Sequence, residues 1–370
     1  MTSRGPQPFS SPRGRSRRID LSRLIGLTAR PTVVAEPDAP PVVPVPFGLK
    51  AYRSAPGGGV EELPPETPLA EAIWIDLFEP SAEDAGRMLK ELGIEVPTAE
   101  DMEEIEVSNR FYRENGIDVM TVILPGHSAQ DGSQVTGPAS FILMPDRLIT
   151  VRHHAPRPFD TFPTRADRSS TGCADHRRLF LGLVEEIVSR FADHLEAASR
   201  TLDVIAARVY AGAKEELSAD ELEEALRAIG RQGELLARVR LGILTVDLML
   251  AMFALWHDDR EGAEPLEGFV KTLVRDLQSL GVHGDFLGNR VGLATDTTLG
   301  MVNLSQNQTV RIVSVVATLF LPPTLIGTVY GMNFHNMPEL DWTWGYPMAL
   351  ALMVLSGILP YFFFKWKKWL

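Results

Sequence analysis

Near the C-terminus the chain carries two runs without a single charged residue, Ile312–Tyr330 and Tyr346–Phe364, each of 19 residues. At about 1.5 Å of rise per helical residue, each can cross roughly 28 Å of hydrocarbon. Residues 331–345 between them hold Glu339 and Asp341 and no Lys or Arg. Arg311 precedes the first run, and Lys365, Lys367 and Lys368 follow the second. Basic flanks favour the cytoplasmic side. The pattern therefore predicts transmembrane helices at 312–330 and 346–364, an external loop at 331–345 and a basic cytosolic tail at 365–370, with both termini cytoplasmic.

Upstream the periodicity is different. Strand-like apolar and β-branched runs occur at Phe47–Tyr52, Ala72–Leu77, Ile117–Leu124, Ala139–Met144 and Leu148–Arg152. Helical spacing at Glu83–Leu92 and Thr98–Glu104 interrupts them, and Pro145-Asp146-Arg147 makes a hairpin turn. Residues 46–173 are thus predicted to form an α/β cytosolic domain with a small mixed or antiparallel sheet. Leu179–Tyr210 has apolar residues at helical spacing, and the Ser218-x-x-Glu221 capping box opens a second helix that runs to about His257. The short connection makes 174–262 an antiparallel helical hairpin. Its acidic tip, Glu215 to Glu224, reads as a solvated helix end or as a weak collecting site for divalent cations.

From Glu264 to Tyr330 the pattern is one helix of 67 residues, roughly 100 Å long. Its cytosolic part, 263–311, is a stalk with Leu266, Val270, Leu273, Leu277 and Leu280 on one stripe. A helix of this length needs neighbours to cover that stripe, either the hairpin or copies of itself. Gly281, Gly284, Gly288 and Gly292 share one side and predict close backbone contact. Pro322-Pro323, inside the first span, is expected to bend or loosen it. Residues 1–45 form an Arg/Pro-rich tail without an apolar signal segment. It reads as disordered: a solvated tail, an organellar transit peptide, or an arm lying on anionic lipid.

Charge narrows the function classes. The net charge is −12, with most acids between Glu61 and Glu267, a poor match to nucleic acid. Cys173 is the only cysteine, so an intrachain disulfide and a thiolate metal cage are both excluded. No glycine-rich nucleotide motif occurs, and no organic cofactor is expected. His153-His154 reads as a solvated strand end or as a metal pair.

A sparse polar ladder rises along the long helix: Asp296, Asn307, Thr324 and, beyond its end, Asn333. Asp296 and Asn307 fall on one face, and Val310, Val313 and Leu321 lie near the same stripe. In a symmetric oligomer such positions become polar rings and an apolar constriction that gates by dewetting. The same polar residues could instead satisfy neighbouring helices.

The stretch Tyr330-Gly331-Met332-Asn333-Phe334, followed by Met337-Pro338-Glu339-Leu340 and Trp344-Gly345-Tyr346-Pro347, closely resembles the CorA family of magnesium channels. Leu321-Pro322-Pro323-Thr324 and the closing Lys-Lys-Trp-Leu match its enterobacterial-type branch. The resemblance covers about Ala72 to Leu370. It implies no enzyme but a homopentameric Mg²⁺ and Co²⁺ channel of the bacterial inner membrane. A cytosolic α/β funnel would be joined to a stalk-helix pore, with the second span outside it. Its partners would be copies of itself, the bilayer and divalent cations, with no nucleic acid. Gly331, Met332 and Asn333 would form the selectivity filter, whose amide ring reads the hydration shell of an ion that dehydrates reluctantly. Asp296, Asn307 and Thr324 would be pore rings, Val310, Val313 and Leu321 the hydrophobic gate, and Glu339 an electrostatic lure in the loop. Glu104 and Asp276 would hold regulatory Mg²⁺ between subunits and close the channel. The chain departs from the family pattern at Glu104, where Asp is commoner, at the smaller gate residues Val310 and Val313, and at His335-Asn336. Two other readings are a Zn²⁺ transporter of the same architecture and a membrane-anchored helical scaffold without transport.

Overall fold

The computed structural model describes residues 47–104, 106–211, 217–257, 264–332, 337–338 and 341–367, with the backbone alone at Val107, Ala211, Glu264 and Pro265. The tail at 1–45, the tip residues Glu215 and Glu216, the loop pair His335-Asn336, and the site positions Asn333 and Glu339 lie outside the described residues.

Among the described residues, seven strands form one mixed sheet: β1 (Gly48–Ser54), β2 (Val60–Glu62), β3 (Trp74–Phe78), β4 (Phe111–Glu114), β5 (Ile117–His127), β6 (Gln134–Leu143) and β7 (Leu148–Arg152). Their order is β2-β1-β3-β7-β6-β5-β4. Only β3 and β7 pair in parallel, Asp76 opposite Thr150 and Phe78 opposite Arg152. These two central strands are buried on both faces, hence their nearly unbroken runs WIDLF and LITVR. The hairpin turn at Pro145-Asp146-Arg147 closes with a Met144 N–H to Arg147 carbonyl bond of 2.9 Å. Two strands were not legible in the pattern: β2 has three residues, and β4, FYRE, buries only Phe111.

Each face of the sheet carries its own core. On one, Ile75, Leu77, Ile149 and Val151 pack with Met88 and Met102 from α1 (Ala82–Leu92) and α2 (Ala99–Met102). Both helices open with capping boxes, Ser81/Asp84 and Thr98/Asp101. A four-residue α3 (Val107–Arg110) follows. On the opposite face, Trp74, Phe141 and Leu148 pack with α4 (Pro158–Arg165) and with three long helices: α5 (His176–Ala211), α6 (Ala219–His257) and α7 (Glu264–Tyr330). The last helix is α8 (Gly345–Trp366).

The Ser218/Glu221 box that opens α6 is formed, with a 2.9 Å bond from the Ser218 N–H to Glu221 Oε2. The apolar content of α6 would allow a membrane crossing. Its Val239, Val246, Met249, Leu250 and Phe253 are instead buried in the core, and Thr245 Oγ1 accepts the Ile123 amide of β5. The α7 stripe is covered by this layer: Leu266, Val270, Leu273 and Leu277 are buried and Leu280 is partly so. The glycine row behaves unevenly. Gly281 and Gly284 lie against Ile243 and Arg240 of α6, while Gly288 and Gly292 face open space.

The two adjacent histidines are not a solvated strand end. His154 is buried, and its Nε2 donates to the Leu124 carbonyl at 3.0 Å. Burial pushes its pKa down to about 4, so it stays neutral. It fills space left by two glycines: a Cβ at Gly126 would come within 2.7 Å of its ring and one at Gly137 within 2.9 Å. His153 is half-buried, 3.4 Å from Glu79.

Candidate functional site: the α7 face and the cytosolic acids

The helix α7 runs unbroken through Pro322-Pro323. Proline has no N–H, so the carbonyls of Thr318 and Leu319 lose their usual donors four residues on. The helix continues past the pair, and α8 packs against it there. A Cβ at Gly357 would sit 3.6 Å from Pro323 Cγ and 3.7 Å from the Leu319 carbonyl oxygen. One turn on, Gly327 lies against Met353, whose Cε would be 3.5 Å from its Cβ. Small residues at this crossing let two helices approach where no water competes for contact.

Leu319, Pro323 and Gly327 therefore mark the α8-facing side of α7. At 100° per residue, the positions Asp296, Asn307, Val310, Val313, Leu321 and Thr324 are centred roughly 140° round from it. All six are exposed in the single chain, the three apolar ones at 63%, 62% and 66%. Exposed aliphatic residues on the side turned away from α8 need either lipid or another protein surface. The Thr324 hydroxyl is held by the Phe320 carbonyl at 2.7 Å, which still leaves its oxygen able to accept. Gly331 and Met332 close the helix through the Gly331 N–H to Gly327 carbonyl bond (3.0 Å) and the Met332 N–H to Val329 carbonyl bond (3.3 Å).

The two acids Glu104 and Asp276 lie far apart in fold terms. Glu104 follows α2, and its Oε2 accepts Asn109 Nδ2 at 2.5 Å. The Arg110 guanidinium donates to its carbonyl. Asp276 is on α7, exposed, and lines a groove of about 330 Å³ between α5 and α7 together with Glu185. Glu185 accepts the Ser169 hydroxyl (3.1 Å) and the Ser170 N–H (3.2 Å). α2 and α7 pack on opposite faces of the sheet. A contact between Glu104 and Asp276 thus needs a second chain. Among the described residues of one chain, no group of three or more His, Cys, Asp or Glu side chains is gathered to hold a metal ion.

Two buried charge networks escaped the sequence reading. Arg152 pairs with Asp76 at 2.9 Å between β7 and β3. His257 at the end of α6 pairs with Asp118 of β5 at 2.8 Å, and Arg113 bonds the same carboxylate. Burial alone would raise the Asp118 pKa, but the His257 and Arg113 hydrogen bonds outweigh it and hold the pKa below the usual carboxylate range. The available signal was a charged residue at a core-facing strand position, since alternation puts Asp76 in phase with Trp74 and Phe78.

A family model described as CorA-like Mg²⁺ transporter protein matches residues 70–367. The chain is 32% identical over 310 residues to the magnesium transport protein CorA of Yersinia pseudotuberculosis, covering 84% of this chain and 95% of that one. Identity and coverage are the same for the magnesium transport protein CorA of Escherichia coli K12. Its fold is similar to the complete structure of the CorA magnesium transporter from Methanocaldococcus jannaschii: TM-score 0.66, 18% identity, covering 88% of this chain and 100% of that one.

Proposed function

The chain belongs to the CorA-like Mg²⁺ transporter family, and from that premise we propose how it moves Mg²⁺ across a membrane. Five copies surround a pore lined by α7, with α8 on the lipid side. The observation that carries this reading is that the polar and apolar site positions of α7, centred on the side turned away from α8, are exposed in the single chain. Closing that face around an axis would cover the exposed Val310, Val313 and Leu321 and turn each into a ring.

Hydrated Mg²⁺ enters at an outer ring of Asn333 carbonyl oxygens, with Gly331 permitting the turn and Met332 holding it; Glu339 raises the local cation concentration. Neutral amides suit an ion that keeps its waters. The apolar rings of Val310, Val313 and Leu321 empty of water when closed, and Thr324, Asn307 and Asp296 carry the shell inward. Co²⁺ passes by the same route. The membrane is the bacterial inner membrane, with the α/β part and both termini in the cytoplasm, so the potential drives influx.

Cytosolic Mg²⁺ acts as its own regulator. Glu104 of one copy and Asp276 of the next supply hard oxygen donors, and a bound cation would offset their repulsion and tie the copies together. The single-chain geometry supports this, because the two acids lie beyond each other's reach within a chain.

The decisive experiment is Mg²⁺ flux in proteoliposomes. Asn333→Ala should abolish uptake, and wild-type flux in that variant would overturn the filter assignment. Asp276→Ala should leave flux high at high internal Mg²⁺; unchanged inhibition would reduce Asp276 to a solvated acid. Zn²⁺ competition in the same assay, with and without a pH gradient, separates this reading from a Zn²⁺ transporter; His335 is the residue that favours the softer ion.

A further inference from the structure

On the α/β part, away from both sites above, the far end of the β5–β6 hairpin meets α5 and α6 at a small recess of about 30 Å³. That is room for one small group. Arg157, Arg190 and Arg238 line it, with His127, His194 and Gln134. The cations exceed their partners. Arg238 Nε is 3.0 Å from Glu234, and Arg190 Nη1 is 3.5 Å from Asp193. The exposed Arg157 side chain has no ion pair among the described residues. Arg190 Nε is buried without a hydrogen-bond partner, a donor that folding leaves unsatisfied. Crowding three guanidinium groups costs energy unless something negative joins them.

We propose that this recess binds one oxyanion group, such as a phosphate, gripped by Arg157, Arg190 and Arg238 with His127 and His194 as its protonatable wall. A planar guanidinium presents paired donors matched to such an oxyanion. Free phosphate and the terminal phosphate of a nucleotide share this chemistry.

Proton linkage gives the site a second signature. The charged and titratable groups that face the histidines are Arg190 and Asp193 on α5, Arg157 before α4, and Arg238 and Glu234 on α6. Burial, and after it the Arg190 charge, push the His194 pKa down to about 4. Burial, then Arg190 and Arg157, lower that of His127. An anion among the guanidiniums offsets the repulsion and favours the imidazolium forms, so binding takes up protons and strengthens as pH falls.

The test uses the full chain in detergent with chelator present and ionic strength held by sodium chloride. Titration calorimetry follows sulfate, which does not titrate near neutrality, then inorganic phosphate, then ATP. Sulfate should bind measurably tighter at pH 6 than at pH 8, by about twofold or more. Arg190→Gln, and separately the exposed Arg157→Gln, should each weaken it by about tenfold or more. His194→Gln should flatten the pH dependence. A phosphate response with or without an ATP response supports the site. Arg157→Gln binding sulfate as the wild type does, heat that chloride reproduces, or no saturation by any of the three anions overturns it. Because Arg157 is exposed, its variant separates lost binding from lost folding.

Discussion

Replacing Arg152 by Met tests what the centre of the sheet depends on. Arg152 and Asp76 are 1% and 2% exposed, so their charges see almost no water. The Arg152 side chain gives Asp76 a 2.9 Å bond from Nη2 and a 3.2 Å bond from Nε, and reaches the His154 carbonyl at 3.4 Å. It also lies 4.3 Å from the Phe78 ring centroid and 5.0 Å from that of Phe159. Behind Asp76 the network continues: Thr150 Oγ1 donates to it at 2.7 Å, and Trp74 Nε1 donates to Thr150 at 3.0 Å. Arg152→Met keeps the volume but strands a carboxylate with one hydroxyl donor, which costs about 3–5 kcal/mol. Asp76→Leu with Arg152→Met removes the buried pair together and leaves the Thr150 hydroxyl, the His154 carbonyl and the partly exposed Asp160 without these partners, costing about 2–3 kcal/mol, less than the single variant. Urea unfolding in detergent, followed by tryptophan emission, measures both. Changing Trp342, Trp344, Trp366 and Trp369 to Phe leaves Trp74 and Trp256 as reporters of the core against the sheet. The reasoning fails if the single variant unfolds at the wild-type midpoint, or if the double variant is no more stable than the single one.

Two further outcomes follow from the geometry. Asp118 has a folded pKa below its unfolded value near 4, so its contribution is complete above about pH 4 and fades as pH falls through the folded value; Asp118→Asn should flatten the stability decline between about pH 5 and 3, and parallel curves would sink this. At the α7–α8 crossing, Gly357→Ala meets only ordinary contacts and should be nearly silent, whereas Gly357→Leu should drive α8 off Pro323 and abolish flux; normal Mg²⁺ uptake by the leucine variant would refute the close approach.

Much of the architecture was legible because the chain signals it over long distances. Charge-free runs, the 67-residue helical pattern and the Ser218/Glu221 box each depend on local rules that tertiary contacts did not override. The losses have separate causes. β4 pairs with β5 through its backbone and buries one side chain, so no alternation marks it. His154 is polar by type yet buried, because Gly126 and Gly137 leave it a cavity that no sequence window contains. The uneven glycine row has the same origin, since α6 covers only part of that stripe. What the sequence lacked was the side of α7 that α8 covers, which Leu319, Pro323 and Gly327 mark.

The unbroken helix α7 makes the protein a mechanical lever. Asp276 and Thr324 stand on the same rod, roughly 70 Å apart along its axis. Between them the helix is continuous, and even the proline pair lies within it. Tilting one end of a straight rod of that length by one degree displaces the other end by about 1 Å. Under the proposed regulation, a cation that shifts the base that little would need no relay of intermediate side chains.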